Sequence, residues 1–242
     1  MRDYLFALSP LALAACSIGG ADASEPGIPG QGSGNARTYA AAGFDTIDLR
    51  GSDDVDVRVG SGFSVRAEGD SAVLDRLRIT REGQRLRIDR RREDGLTWGG
   101  DTARVLVTMP RIAGAKVAGS GDVTIDRAEG ARFDGAIAGS GGLKVAAMQV
   151  DEAKLSVAGS GDIEVKGAAQ RIDVSIAGSG SLRAPDLKAT AAKVSVAGSG
   201  NVRADLEGEG DVRIAGSGNV DLGKSARCSV RAAGSGTARC GG

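Results

Sequence analysis

Apolar and polar residues alternate regularly around a tetrapeptide, Ala-Gly-Ser-Gly, that recurs seven times in the second half of the chain. Successive copies are separated by 18 to 20 residues. Apolar residues, mainly Val, Ile, Leu and Ala, occupy the positions two and four before the first glycine and four and six after it. Side chains that alternate with a period of two are typical of half-buried β-strands. The pattern therefore predicts two short strands flanking a glycine corner in every repeat.

A period of this length with short strands is typical of a parallel β-solenoid, in which coils stack at ~4.8 Å. One coil cannot bury its own apolar stripe, so stacked coils must supply the core. Glycine suits the corners because it adopts positive φ at low cost. The predicted corner residues are the two glycines of each copy: Gly119, Gly121, Gly139, Gly141, Gly159, Gly161, Gly178, Gly180, Gly198, Gly200, Gly216, Gly218, Gly234 and Gly236.

Residues 41–110 keep the alternation but lose the regular period. We predict that they form an irregular β part of the same domain and that residues 111–242 form the regular coils. Within the irregular part, residues 76–92 contain eight Arg and two acidic residues, a local charge of +6. Apolar residues alternate with these Arg on both sides of a Glu-Gly-Gln sequence, which predicts a β-hairpin.

Two roles are open for the Arg-rich hairpin and the loop that follows it. Arg90, Arg91 and Arg92 either protect an edge strand from aggregation or contact a polyanionic ligand through guanidinium groups. Trp98, the only Trp, lies in a glycine-flanked loop. It either stacks on a sugar or a partner, or caps one end of the solenoid.

The amino terminus has the features of a secretion signal. An apolar run over residues 4–15 is too short to span a bilayer and ends at Leu-Ala-Ala before Cys16. We predict a signal peptide over residues 1–15, lipidation of Cys16 and a flexible tether over residues 16–40. Cleavage after Ala23 is the alternative. Either route takes the mature chain out of the cytoplasm and into the cell envelope, as an outer-membrane lipoprotein or in the periplasm. If Cys16 is lipidated, we expect membrane contact through the lipid anchor.

Composition excludes several classes of function. Lys plus Arg equals Asp plus Glu at 31, so no strong overall field attracts nucleic acid. The chain has no His, 39 Gly and seven aromatic residues. We therefore expect no metal, no cofactor and no catalytic residue, and a slender core without a deep substrate pocket. Cys228 and Cys240 occupy inward-facing positions of the alternation, one before and one after the last corner. They form either a disulfide or two buried thiols.

The repeated strings VAGSGDV and IAGSGNV resemble the bacterial head GIN domain family of auto-transporter adhesins. The preceding order is also similar: the strand Phe44–Leu49, a degenerate corner at Gly51-Ser52, the charged hairpin and the strand Val105–Pro110. The resemblance covers residues 41–240. It implies a right-handed β-helix on a secreted or lipid-anchored protein with a role in adhesion, and it carries over no catalytic residue.

The first hypothesis for function is therefore a non-catalytic envelope protein, an adhesin or scaffold that binds an unknown protein or polysaccharide. The alternative is a periplasmic module that binds polysaccharide or another polyanion. A carbohydrate-active enzyme is a third reading, because β-helices also carry lyases and hydrolases. It needs clustered acids, and Asp126, Glu164 and Asp186 show no such clustering in the sequence.

Overall fold

The computed structural model describes residues 27–91 and 102–241, and these residues are mostly β-strand. The part before residue 110 also contains a short helix, α1 (Ser71–Arg76), which begins after Asp70, whose carboxylate accepts a hydrogen bond from the Ala72 amide. The strands of this part are β1 (Gly30–Gln31), β2 (Ala36–Tyr39), β3 (Thr46–Gly51), β4 (Asp54–Val59), β5 (Ser64–Glu68), β6 (Leu77–Glu82), β7 (Arg85–Arg90) and β8 (Arg104–Met109).

The second part is a parallel β-solenoid, so the predicted fold class is confirmed: about six turns of ~20 residues follow an irregular β region. Its long strands bend at register shifts instead of ending, for example between Val145 and Met148. The strands are β9 (Gly114–Gly119), β10 (Asp122–Ile125), β11 (Ala128–Gly139), β12 (Gly142–Gly159), β13 (Asp162–Gly178), β14 (Ser181–Gly198), β15 (Asn201–Gly216), β16 (Asn219–Asp221), β17 (Arg227–Ala233) and β18 (Thr237–Arg239).

The core is built from rows of apolar side chains that point inward at matched positions of successive coils. In one row, Val174 of β13, Val194 of β14 and Val212 of β15 are in register, and all three are buried. Phe133, also buried, is the only aromatic residue after Trp98. Because aliphatic side chains fill the interior, each coil gains its stability by burying apolar surface against its neighbours.

Each corner turns at its first glycine, whose φ ranges from +119° at Gly234 to +136° at Gly119. The Gly119 carbonyl oxygen accepts hydrogen bonds from the Ser140 amide at 2.9 Å and the Gly141 amide at 3.0 Å. A Cβ atom at Gly139 would lie 2.3 Å from that same oxygen. Glycine is therefore required at this position both by the backbone conformation and by the close approach of the coil below.

In the irregular part, the order of coils along the solenoid differs from their order in the sequence. Strand β3 pairs in parallel with β9 on one side and with β7 on the other. Strand β4 pairs likewise with β10 and β8. The coil formed by β7 and β8 therefore lies beneath the coil formed by β3 and β4, although it follows it in the chain. Gly51, with φ +127°, stacks opposite Gly119 and forms one more corner.

Antiparallel strands close the amino-terminal end of the solenoid. The Arg-rich segment forms the predicted hairpin, in which β6 pairs with β7, and β5 pairs with both β8 and β2. The prediction of a flexible tether as far as residue 40 is wrong for residues 30–31 and 36–39, which form β1 and β2. Tyr39 is buried there, because its ring completes the apolar end layer. Among the residues that the structure describes, no helix is long and apolar enough to cross a membrane.

Candidate functional site

The arginines of the hairpin are largely engaged in ion pairs with the protein's own carboxylates. Arg78 donates to both carboxylate oxygens of Asp89, at 2.7 and 2.8 Å. Arg87 is buried and donates to Asp48 at 3.4 Å. These contacts pair the hairpin with itself and with the neighbouring strand β3. The local charge of +6 is therefore partly neutralised within the fold.

Arg90, a predicted ligand contact, is instead part of the structural core of the amino-terminal end. Its guanidinium forms a bidentate pair with Asp53, which is fully buried. The carboxylate of Asp53 also accepts a hydrogen bond from the Ala103 amide at 2.8 Å. The hydrogen bond to Asp53 raises the pKa of Arg90 above its usual value. Because Arg90 neutralises a buried charge, a ligand could not recruit it without exposing Asp53.

The other predicted contacts are placed differently. Arg91 is exposed, and its backbone amide donates to the Arg76 carbonyl at 2.9 Å. Arg92, Trp98 and the lipidation candidate Cys16 lie outside the described residues, so their roles remain predictions.

Acidic side chains that follow the corners fasten one coil to the next. The Asp54 carboxylate accepts from the Asp122 amide at 3.2 Å, and the Asp122 carboxylate accepts from the Gly142 amide at 2.7 Å. Asp162 repeats the arrangement with the Ser181 amide at 3.1 Å. The three carboxylates belong to the stacking geometry of the coils. In residues 27–91 and 102–241, no group of three His, Cys, Asp or Glu is placed to hold a metal ion.

A groove of about 600 Å³ crosses the last four coils, and we name it the C-terminal groove. Two rows of side chains line it, three and five residues after the first corner glycine, with buried Leu182, Val202 and Val220 between them. The first row consists of Ser181, Asn201, Asn219 and Thr237. The second row consists of Arg183, Arg203, Asp221 and Arg239.

The arginines of the C-terminal groove differ in their partners. Arg183 pairs with Asp162 at 3.1 Å. Arg203 and Arg239 are exposed, and among the described residues neither has a carboxylate within 4.0 Å. Asp221 lies between these two in the strand register and accepts a hydrogen bond from the Gly223 amide at 3.1 Å. The groove therefore presents two guanidinium groups that are free to bind an anion.

In the first row of the groove, the side-chain hydrogen bonds all run in one direction. The Thr237 hydroxyl donates to the Asn219 side chain at 2.6 Å, and Asn219 donates to the Asn201 side chain at 3.2 Å. The side-chain amide of Asn201 at the end of this chain has no protein acceptor among the described residues. Its N–H groups and the second N–H of Asn219 are exposed donors that a ligand with hydrogen-bond acceptors could use.

A disulfide closes the coil that forms one end of the groove. Cys228 in β17 is bonded to Cys240, which follows β18, and the two Cα atoms are 6.0 Å apart. In the part of the chain that the structure describes, β18 has a single partner strand, β16. The bond therefore fixes the strand that carries Thr237 and Arg239.

Reasoning from the sequence missed the C-terminal groove, although a signal was present. Arg183, Arg203 and Arg239 occupy the same position of the repeat, five residues after the first corner glycine. The solenoid register therefore predicts that they align on one face. The arginine contacts predicted from the sequence instead belong to the Arg cluster of residues 76–92, at the other end of the molecule. Several of those arginines form ion pairs with carboxylates of the protein itself.

Comparison with solved structures supports the same architecture. A protein from Parabacteroides distasonis named "putative lipid binding protein" is 23% identical, with a TM-score of 0.68, over 87% of this chain and 98% of that one. A "putative adhesin" from Bacteroides fragilis is 19% identical, with a TM-score of 0.77, over 85% and 95%. A "putative adhesin" from Parabacteroides merdae is 15% identical, with a TM-score of 0.62, over 89% and 99%. At these identities the likeness shows the fold.

No match was found among curated proteins. The family described as "Putative auto-transporter adhesin, head GIN domain" matches residues 43–226. That span includes the amino-terminal coils, with their inverted order, and six of the seven Ala-Gly-Ser-Gly corners. Because the match covers most of the sequence, the protein belongs to the head GIN domain family.

Proposed function

We propose that the protein is a non-catalytic adhesion module of the bacterial cell envelope, held at the membrane by a lipid on Cys16. The observation that carries this proposal is the contrast between a packed interior and long, regular, polar outer faces. The inward rows of the coils are buried aliphatic side chains, so the ligand must bind outside. Family membership supports a role at the cell surface.

The acids considered for catalysis are engaged separately. The Asp126 carboxylate accepts from the Val59 amide at 3.0 Å. Glu164 pairs with Lys144 at 3.4 Å, and Asp186 pairs with Lys166 at 3.3 Å. Most glycoside hydrolases use two carboxyl groups that face each other across the scissile bond. The separate pairing of these acids supports binding without turnover.

Lipid binding is a second candidate, since one structural neighbour carries that name. A surface that contacts acyl chains needs a contiguous apolar patch. The large apolar side chains exposed in the described residues are Phe63 and Val230, and they lie in different parts of the fold, in the irregular region and in the last coil. The charged and hydrogen-bonding side chains that line the C-terminal groove support a polar ligand over an acyl chain.

The anchor is tested by expressing the full chain in a Gram-negative host with an alkyne-labelled fatty acid. We expect the wild-type protein to be labelled and recovered with membranes. Cys16→Ser should be unlabelled and released, and Ser17→Ala, which keeps the thiol, should behave as wild type. An unlabelled wild-type protein whose amino terminus is Ser24 would instead establish cleavage after Ala23 and contradict the lipid anchor.

Adhesion is tested with cells that carry the protein and cells that carry an empty vector, on surfaces coated with acidic or neutral polysaccharides. We expect the protein to increase retention of cells on at least one coating without generating new reducing ends. Equal retention of the two cell types on every coating would contradict adhesion. New reducing ends would contradict the non-catalytic assignment.

A further inference from the structure

The C-terminal groove has the layout of a site for a linear polymer, because its two rows of side chains repeat with the coils. Strand pairing places Arg183 opposite Arg203, Arg203 opposite Asp221, and Asp221 opposite Arg239. Neighbouring strands are ~4.8 Å apart, so the backbones that carry Arg203 and Arg239 are about 10 Å apart. An extended chain lying along the solenoid axis would pass both guanidinium groups in turn.

The chemistry of the groove selects anionic groups and hydroxyl groups together. Arg203 and Arg239 each present a planar donor fork that matches a carboxylate. The Asn201 and Asn219 amides and the Thr237 hydroxyl supply the donors and acceptors that sugar hydroxyls need. Resting on the proposed role in adhesion, we propose that the C-terminal groove binds an acidic polysaccharide that carries uronic-acid carboxylates.

Other polyanions fit the groove less well. Nucleic-acid binding depends on many simultaneous phosphate contacts, whereas this groove offers two unpaired arginines and contains one carboxylate, Asp221. A membrane surface requires apolar side chains that insert among the lipids, but Leu182, Val202 and Val220 in the groove floor are almost completely buried. A chain with spaced carboxylates and many hydroxyls matches both rows.

The disulfide acts in this proposal as a positioning element. Arg239 is followed directly by Cys240, and β18 is paired along only one of its edges. Opening the bond to Cys228 leaves the strand held by its three-residue pairing with β16 and by backbone hydrogen bonds beside it, such as the one from the Gly241 amide to the Gly223 carbonyl at 3.1 Å. Reduction should therefore reproduce the effect of losing Arg239, while Arg203, which lies inside the stack on β15, keeps its place.

Binding is measured by calorimetry between the purified lipid-free protein (Cys16→Ser) and polygalacturonate oligomers. All further changes are made in this protein. Arg203→Ala and Arg239→Ala should each weaken binding about tenfold, the effect of one charge-assisted hydrogen bond, and the double variant should bind no more than a neutral glucan does. Arg91→Ala is the matched control, since it removes one exposed arginine far from the groove, and should bind as the parent does. Circular dichroism and the melting temperature verify that each variant folds.

Asp221→Asn tests the same site by a gain of binding. The amide keeps an oxygen that can accept from the Gly223 amide, but it removes the carboxylate of the groove. We expect binding to strengthen about two- to fivefold at low salt, and the gain to shrink at high salt as screening increases. An unchanged or weaker affinity at low salt would count against contact with an anionic chain.

The reduced protein should lose about as much affinity as Arg239→Ala, and reduction of Arg239→Ala itself should have no further effect. Undiminished binding after reduction would overturn the positioning role of the disulfide. Unchanged binding by the double Arg variant, loss of binding in Arg91→Ala, or binding of sulfated glycans or anionic phospholipid vesicles in place of the uronate would overturn the site.

The binding experiment and the adhesion assay can fail independently of each other. If cells that carry the double Arg variant still adhere to polygalacturonate, adhesion uses another surface and the groove proposal fails alone. If purified protein binds the oligomers as predicted but cells do not adhere, the groove proposal stands and the adhesion role fails.

Discussion

Replacing Gly139 by Ala should destabilise the solenoid much more than the same replacement at Gly130. The two glycines belong to one strand, β11, and have nearly the same φ, +134° and +130°. They differ in their surroundings. A Cβ at Gly130 would meet nothing within 4 Å, whereas a Cβ at Gly139 would lie 2.3 Å from the Gly119 carbonyl oxygen. The pair therefore separates conformational strain from the cost of stacking.

The strain of placing Ala at such a φ is about 1–3 kcal/mol, and both variants share it. Gly139→Ala must also move the coil away from the Gly119 oxygen. That movement breaks the hydrogen bonds from Ser140 and Gly141, at 2.9 and 3.0 Å, each of which contributes about 1 kcal/mol. We expect the free energy of unfolding to fall by about 2 kcal/mol more in Gly139→Ala than in Gly130→Ala.

Urea unfolding followed by circular dichroism measures this difference, with the slope compared between the variants. Hydrogen exchange should show faster opening of the corner that contains Gly139. If Gly139→Ala does not fold, Gly234→Ala in the last corner tests the same 2.3 Å contact, there with the Gly216 oxygen. Equal destabilisation by Gly130→Ala and Gly139→Ala, within about 0.5 kcal/mol, would refute the argument that close stacking requires glycine.

Two further predictions concern the amino-terminal end. Arg90→Ala should lower the free energy of unfolding by about 3–5 kcal/mol, because it leaves the buried Asp53 without its partner. The exposed Arg91→Ala should change it by less than about 0.5 kcal/mol, and similar melting temperatures for these two variants would contradict this assignment. Burial raises the pKa of Tyr39 in the folded protein. The neutral phenol therefore contributes its full share to the free energy of unfolding below the unfolded Tyr pKa of about 10. That share is lost as the pH rises through the folded pKa. Tyr39→Phe should remove this part of the alkaline loss, measured as the melting temperature against pH.

The regular coils could be predicted from the sequence because every position of a coil meets the equivalent position of the next. A side chain such as Val194 has Val174 on one side and Val212 on the other, so the alternation of apolar and polar positions is enough to place it in the core. The corner glycines repeat for the same reason. In a solenoid, local pattern and tertiary contact coincide, and the sequence contains nearly all the information that the fold class needs.

The amino-terminal coils escaped prediction because their contacts join segments that the sequence separates. The coil of β7 and β8 lies beneath the earlier coil of β3 and β4, so no repeat distance relates them. The pairing of Arg90 with Asp53, 37 residues apart, depends on this inverted order. A count of charges shows how many arginines the hairpin contains, but only the register shows which of them the fold already uses.

The same reasoning explains why the C-terminal groove is the better candidate for binding. Opposite charges on neighbouring strands stabilise a sheet, and like charges directly opposite each other destabilise it. In the row that contains the groove, Lys144 pairs with Glu164 in the middle coils, but Arg183 lies directly opposite Arg203. Arg183 is paired with Asp162 and Arg203 has Asp221 opposite it in the next coil, so the fold balances this like-charge contact only in part. In the proposal made above, an anionic ligand supplies the further negative charge beside Arg203, as expected of a binding surface.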